Sequence, residues 1–383
     1  VKIRLHDPVI VSQAPPAVRE WGPWQFPLLL RLADGRLLLE YHREADSARA
    51  YGLPTGQAVS ADGGATWEET RGITAGLRLP NGDELRALQI PSLPAEGLAL
   101  PAPLAHLPSS YPLTFTYYRW DDLPPQLRSR WWFLRKPAGA EEWVKEQANL
   151  DLPDSFACVT EGVLVTPFFE QNRIQLAPDG RLLATLYSQP QMAQGRFLVR
   201  RYLAMLMESP DGGHNWALKG TVPYFPDLKA DPHWDERDGF TEPQVVCMPD
   251  GSLMILLRTS DGCGVGPLYC ARSGDGGATW TQPEVFDHFG VWPQLAVLRN
   301  GVTLAVYGRP GLFLRAALDA EGSRWSPRHA LIEPGELGHD TCSYASLLAL
   351  PDGGALVAYS DFHIPDAQGR PCKTILVRRI EVD

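Results

Sequence analysis

The sequence predicts an all-β fold, a six-bladed β-propeller of four-stranded antiparallel blades, and three observations carry that prediction. An eight-residue pattern occurs three times, as Ser60-Ala-Asp-Gly-Gly-Ala-Thr-Trp67, Ser209-Pro-Asp-Gly-Gly-His-Asn-Trp216 and Ser273-Gly-Asp-Gly-Gly-Ala-Thr-Trp280. A second signal, apolar strand, Asp-Gly or Asn-Gly, apolar strand, recurs with its turn residue at Asp34, Asn81, Asp179, Asp250, Asn300 and Asp352. Most of these turns lie about 50 residues apart, the length of one propeller blade. A stack of β-sandwiches would also need many short strands, but not one box at a fixed place in each unit.

Each element has a local cause. Asp-Gly and Asn-Gly supply the positive φ of a two-residue hairpin, so each copy joins two short buried strands. In the eight-residue box the Asp carboxylate can accept from the turn backbone, and the Trp covers the hairpin. Along the chain, residues 1–12 are expected to complete a blade with the last repeat, 344–383, and so remove an open sheet edge. The first blade holds the turn at Asp34 and the box ending at Trp67. The span from about 72 to 158 is read as a degenerate blade with an insertion, because it holds a Pro-rich stretch, 91–112, and a Trp/Arg-rich one, 120–143. Residues 318–325 are a worn box, and 138–143 are another candidate. One domain spanning 1–383 is expected.

Composition sets limits. The 383 residues are 44% hydrophobic and 21% charged, a globular balance. A net charge of −10 argues against nucleic acid or an anionic membrane as the main partner. No apolar run approaches a spanning length, and the first residues do not read as a signal peptide. Secreted, periplasmic and cytoplasmic locations all stay open, as does the oligomeric state. Six cysteines without a Cys-x-x-Cys read as free thiols, with Cys263–Cys270 as the one bridge to consider.

In a propeller the innermost strand of each blade lines the central channel. Aligning blades on their turns puts Phe26, Gln171, Glu242, Trp292 and Tyr344 at one height, eight residues before the turn. One residue earlier come Gln25, Glu170, Thr241, Val291 and Ser343. Glu242 and Tyr344 are thus expected to converge, with Arg258 and Arg309 following in their blades. The plain alternatives are a structural Glu242–Arg258 ion pair, a core tyrosine and a loop arginine.

These segments resemble the sialidase (neuraminidase) superfamily, with its Asp-box repeats. Thr241-Glu-Pro-Gln-Val-Val-Cys-Met-Pro-Asp-Gly-Ser-Leu-Met-Ile-Leu-Leu-Arg258 resembles the segment with the catalytic Glu and second triad arginine. Cys342-Ser-Tyr-Ala-Ser-Leu347 resembles the segment with the nucleophilic Tyr, and Arg309 falls where the third arginine stands. The first arginine is replaced by Gln25, in Gln25-Phe-Pro27, with Arg43 later in the same blade. An amide gives no charge and no bidentate fork.

The resemblance implies a retaining exo-glycosidase that removes a terminal, acidic sugar from a glycan; with Gln25 in place of the first arginine, an acidic sugar other than sialic acid or a neutral one is open as well. Tyr344 would be the nucleophile, Glu242 its base and Asp46 the acid/base, with Glu44 a rival. Arg258, Arg309, Gln25 and Arg43 would hold substrate. The role of Asp361 is open, and His339 is a further possible contact. Trp131, Trp132 and Tyr117 are candidates for a sugar-stacking wall. No metal and no organic cofactor is expected. The alternatives are a glycan-binding propeller without turnover and a lyase acting on uronic acids.

Overall fold

The computed structural model describes residues 1–383 except 51, 90, 91, 110, 112, 129–131, 153, 154, 168, 188, 189, 194, 195, 261 and 336–339; for 190–193 and 196–200 it describes the backbone alone. Trp131 and His339 therefore lie outside the described residues.

Among the described residues six sheets form blades along the chain: the first five are each built on an antiparallel four-strand meander, and the sixth on three strands completed from the start of the chain. Blade 1 is Leu28–Arg31, Leu37–Tyr41, Gly56–Ser60 and Glu68–Thr70. Blade 2 is Leu77–Arg78, Glu84–Ala87, Trp132–Lys136 and Val144–Gln147. Blade 3 is Ile174–Leu176, Leu182–Leu186, Ala204–Ser209 and Asn215–Val222, with Asn149–Asp151 added in parallel at its edge. Blade 4 is Phe240–Cys247, Leu253–Thr259, Leu268–Ser273 and Glu284–Asp287. Blade 5 is Val291–Val297, Thr303–Gly308, Leu312–Ala316 and His329–Ile332. Blade 6 is Ala345–Ala349, Ala355–Pro365 and Pro371–Val382, completed on its outer edge by Ile3–Leu5 and Val9–Gln13 from the start of the chain.

The turns explain why the blades form where they do. At each of the six hairpins the Asp or Asn side chain accepts the backbone N–H two residues on, at 2.9–3.1 Å. In the first box Asp62 accepts from Ser60 Oγ (2.8 Å), Thr66 N (2.9 Å) and Thr66 Oγ1 (2.6 Å), while Trp67 donates to the Gly64 carbonyl at 3.1 Å. The other two boxes repeat the Asp contacts. The worn copy at 318–325 keeps the fastening, since Asp319 accepts from Ser323 and Arg324 and Trp325 donates to Gly322. At 138–143 the fastening differs: Asp83, from the hairpin across blade 2, takes the Ala138 N–H at 2.9 Å.

Packing between blades closes the ring. One apolar cluster joins each consecutive pair, from Leu38 with Ala75 between blades 1 and 2 to Val306 with Val357 between blades 5 and 6. The cluster of Leu29, Leu39 and Tyr41 with Leu356, Ala358 and Val377 joins the last blade to the first. The second glycine of each box sits in this seam. A Cβ at Gly64, Gly213 or Gly277 would overlap Leu356, Leu85 or Leu206, each in the preceding blade, and all three glycines have positive φ. The box therefore fastens its own turn and seats it on the neighbour.

The expected insertion at 72–158 holds blade 2 and most of a separate five-stranded sheet threaded through it, which runs on to Val165. That sheet is Leu93–Pro94, Ala105–Pro108, Thr114–Arg119, Phe156–Thr160 and Val163–Val165. It has its own small core around Tyr118, Leu123, Leu127, Ala157 and Leu164. All six cysteines are free; Cys263 and Cys270 are not bridged, and each instead faces an arginine, Arg237 at 3.2 Å and Arg272 at 3.4 Å. Among the described residues no helix is long and apolar enough to cross a membrane.

Candidate active site

Three inner strands begin with the same local irregularity. Phe26, Glu242 and Trp292 have φ of 54°, 48° and 46°, and each precedes a proline, Pro27, Pro243 and Pro293. In blades 4 and 5 the pairing register breaks at this point, between Thr241 and Gln244 and between Val291 and Gln294. A proline has no N–H to contribute to a ladder, so it suits a bulge. A non-glycine residue at positive φ costs on the order of 1–3 kcal/mol, which the surrounding blade must over-determine. The bulge re-aims the side chain. In blade 6 the same task falls to Ser343, with φ 63°, directly before Tyr344.

The result is a cavity of about 620 Å³ whose wall includes Phe26, Gln171, Glu242, Trp292 and Tyr344, the whole aligned set from five blades. Glu242 and Tyr344 meet: the phenol donates to Glu242 Oε1. Arg258 Nη1 donates to that same carboxylate oxygen and, at 2.8 Å, to the Tyr344 oxygen. Glu242 Oε2 accepts the Trp292 N–H at 2.8 Å. The Trp292 ring stacks on Tyr344 at 4.7 Å, and Phe26 meets it edge-on at 4.9 Å. Tyr344 is held well above the ordinary phenol value, chiefly by burial; the Arg258 and Arg309 charges oppose this and Glu242 reinforces it. The phenol is therefore neutral and points its proton at a carboxylate.

Asp46 lies on the wall with part of its surface open. Its carboxyl is raised above the usual range, first by loss of water in the mouth, then by Glu161 and Glu242, against a hydrogen bond from Trp21 and the Arg309 charge. Glu44 and Arg43 also line the wall, and the Arg43 guanidinium rests 4.1 Å over the Trp24 ring. Arg309 lies in the turn between the second and third strands of blade 5. Its guanidinium is 5.5 Å over Tyr344 and 5.4 Å over Trp21, and it donates to the Cys342 carbonyl at 3.0 Å.

Gln25 is a correction. Expected to touch substrate, it is fully buried and outside the cavity wall. Phe26 has positive φ and lies just before the strand, and this backbone turn presents Phe26 to the cavity while Gln25 stays inside the protein. Of its equivalents, Thr241, Val291 and Ser343 are buried too, while Glu170 lines the cavity. The expected stacking wall also needs correction. Tyr117 is buried with its hydroxyl 3.1 Å from Tyr202, and Trp132 lies in blade 2 under the Lys145 ammonium. The aromatic wall is instead Phe26, Tyr41, Tyr187, Trp292 and Tyr344. Asp361 is raised by burial and accepts the His363 N–H at 2.8 Å.

Four contributors had no role in the sequence reading. Arg173 is buried behind Trp292, 4.1 Å from its ring, and donates to Gln244 Oε1 at 2.6 Å and the Pro293 carbonyl at 2.9 Å. Glu170, 3.5 Å from Arg173, lines the cavity and is pushed up to about 7 by burial, against the Arg173 charge. Arg86 pairs with buried Glu40 at 2.6 Å. Tyr111, carried by the inserted span, accepts from Arg258 Nη2 at 3.1 Å. The repeated x-Pro step was the available signal for Trp292 and Phe26; nothing local marks Tyr111.

Comparison with known proteins fits this architecture. The model of the BNR repeat-like domain matches residues 136–364. The anhydrosialidase of Macrobdella decora is 26% identical over 243 residues, which is 56% of this chain and 28% of that protein. A solved structure of unknown function from Dyadobacter fermentans superposes with a TM-score of 0.64 at 17% identity, covering 100% of this chain and 99% of that one. The Penicillium chrysogenum α-L-arabinanase complexed with arabinobiose superposes with a TM-score of 0.51 at 15% identity, covering 97% and 98%. At these identities the structural likenesses speak for the fold.

Proposed function

The chain belongs to the BNR repeat-like domain family of the sialidase superfamily, and from that premise we propose that it is a glycoside hydrolase releasing a terminal sugar with retention. One observation carries this reading: the Tyr344 hydroxyl, the Glu242 carboxylate and Arg258 form a closed triangle at the cavity wall. A buried scaffold needs a satisfied tyrosine, but not a neutral phenol aimed at a carboxylate inside a cavity of sugar size.

In the first step the Tyr344 oxygen bonds to the anomeric carbon while its proton passes to Glu242. The bond to the leaving oxygen breaks, and Asp46 gives that oxygen its proton. Arg258, already on the phenol oxygen, steadies the charge that gathers there. Water then attacks the anomeric carbon and yields a proton to Asp46, and Tyr344 leaves and recovers its proton from Glu242. The raised carboxyl of Asp46 suits the acid role, since it keeps the proton at milder pH than an ordinary aspartate.

The reading is tested with aryl glycosides on wild type, Tyr344→Phe and Glu242→Gln. Each variant is expected to lower kcat by about 10²–10⁴-fold while leaving Tm within a few degrees. Turnover that survives both changes would remove this triangle from the chemistry.

A further inference from the structure

We propose that the cavity selects an uncharged sugar, because the arginines gathered around Tyr344 and Glu242 are committed to the protein. This inference rests on the hydrolase reading of the same site and names its substrate class, against the acidic sugar that the family resemblance implies.

Capture of a sugar carboxylate needs a guanidinium with two parallel N–H groups free to form a fork. Arg258 does not offer one. Its Nη1 is directed at both Glu242 and Tyr344, and its Nη2 donates to Tyr111. Arg86 is spent on Glu40 and on the Ala75 carbonyl at 3.0 Å. Arg173 is enclosed behind Trp292 and faces Gln244, Pro293 and Glu170. Arg309 lies over two aromatic rings and donates to the Cys342 carbonyl. Gln25, at the position of the missing arginine, does not reach the cavity.

Among the described residues the wall holds the carboxyl groups of Glu40, Glu44, Asp46, Glu170 and Glu242, against the guanidiniums of Arg43, Arg71 and Arg86. Arg71 and Arg43 are exposed, and Arg43 is drawn to Trp24. A sugar carboxylate beside Tyr344 and Glu242 would therefore find Arg258 and Arg309 already engaged, and a buried unpaired charge is costly. An uncharged sugar meets no such cost. Its apolar face can lie on Trp292, Phe26 or Tyr187, and its hydroxyls can donate to the wall carboxylates.

The test measures kcat/KM on 4-nitrophenyl α-L-arabinofuranoside, β-galactoside, β-glucoside and β-glucuronide and on an aryl sialoside, with Glu242→Gln as control. Calorimetric binding of arabinose, galactose, glucuronic acid and N-acetylneuraminic acid is measured on the same protein. At least one uncharged glycoside is expected to exceed both acidic ones by about 100-fold, with its turnover lost in Glu242→Gln. Its KM should also be insensitive to salt. Equal or better turnover of an acidic glycoside, lost in Glu242→Gln, would overturn the substrate class and keep the hydrolase. Binding of uncharged sugars alone, without turnover, would do the reverse. Binding of acidic sugars without turnover, or of no sugar at all, would overturn both.

Discussion

The box corners and the mouth of the propeller are both built on carboxylates, and they treat them in opposite ways. At Asp62 every partner lies within four residues, and the hydrogen bonds from Thr66 and Ser60 hold the carboxyl at about 2. At Glu170 and Asp46 water is removed instead, and both carboxyls rise. The mouth is also long-range: Glu242 reaches Tyr344 across 102 residues, and Arg258 reaches Tyr111 across 147. A carboxylate met by its own turn is a fastener, while one starved of water and placed among distant partners is chemically useful.

The contrast can be broken at its strongest point. Replacing Asp46 by Asn should lower kcat on glycosides with poor leaving groups by about 10²–10⁴-fold, with little change in Tm. The loss should shrink for an activated aryl leaving group that needs no protonation. An equal loss for both would reassign the acid, with Glu44 next in line.

At the corners the largest effect should come from geometry. Gly277→Ala places a Cβ into Leu206 at φ 95° and should cost about 3 kcal/mol. Thermal unfolding would show this as a Tm lower by several degrees, with kcat at low temperature unchanged. A neutral outcome would mean that the seam yields without strain.

Titration separates the two regions next. Glu170 has its folded pKa raised from 4.5 to about 7, so the folded state binds the extra proton between those values. Its contribution to stability is full below about 4.5 and is lost as pH rises through about 7. Glu170→Gln should flatten that part of the stability profile measured by denaturant unfolding. Asp62 has the opposite sign: its contribution is present above the ordinary value of 3.8 and lost as pH falls through about 2. Asp62→Asn should therefore produce the smallest change, about 1 kcal/mol or less at neutral pH, fading in acid. If Asp62→Asn cost more than Gly277→Ala, the box would be held by its carboxylate rather than by its seat on the neighbouring blade.

How much of this could be read from residues follows from the same distinction. Counting eight residues back from each turn found the wall set Phe26, Gln171, Glu242, Trp292 and Tyr344, because each inner strand ends at the same distance before its turn and equal counts then reach equal heights. The same count failed for Gln25, because height does not say which face a side chain takes. The Pro after Phe26, Glu242 and Trp292 carried that information through the bulge it permits. Tyr111 was out of reach, since its place depends on how a separate sheet folds back onto blade 4, where Ser109 also binds Asp238 at 2.9 Å.

The repeat, the hairpins, the box fastenings and the residues that share a height are all legible in the residue order, because turn chemistry acts over two to four residues. Only the tertiary structure decided that Arg258 is occupied by Glu242, Tyr344 and Tyr111, that Gln25 is shut away, and that Glu170 and Asp46 lose water together. Those outcomes are set by closure of the ring, which brings residues from distant blades within hydrogen-bond reach and takes part of their water away.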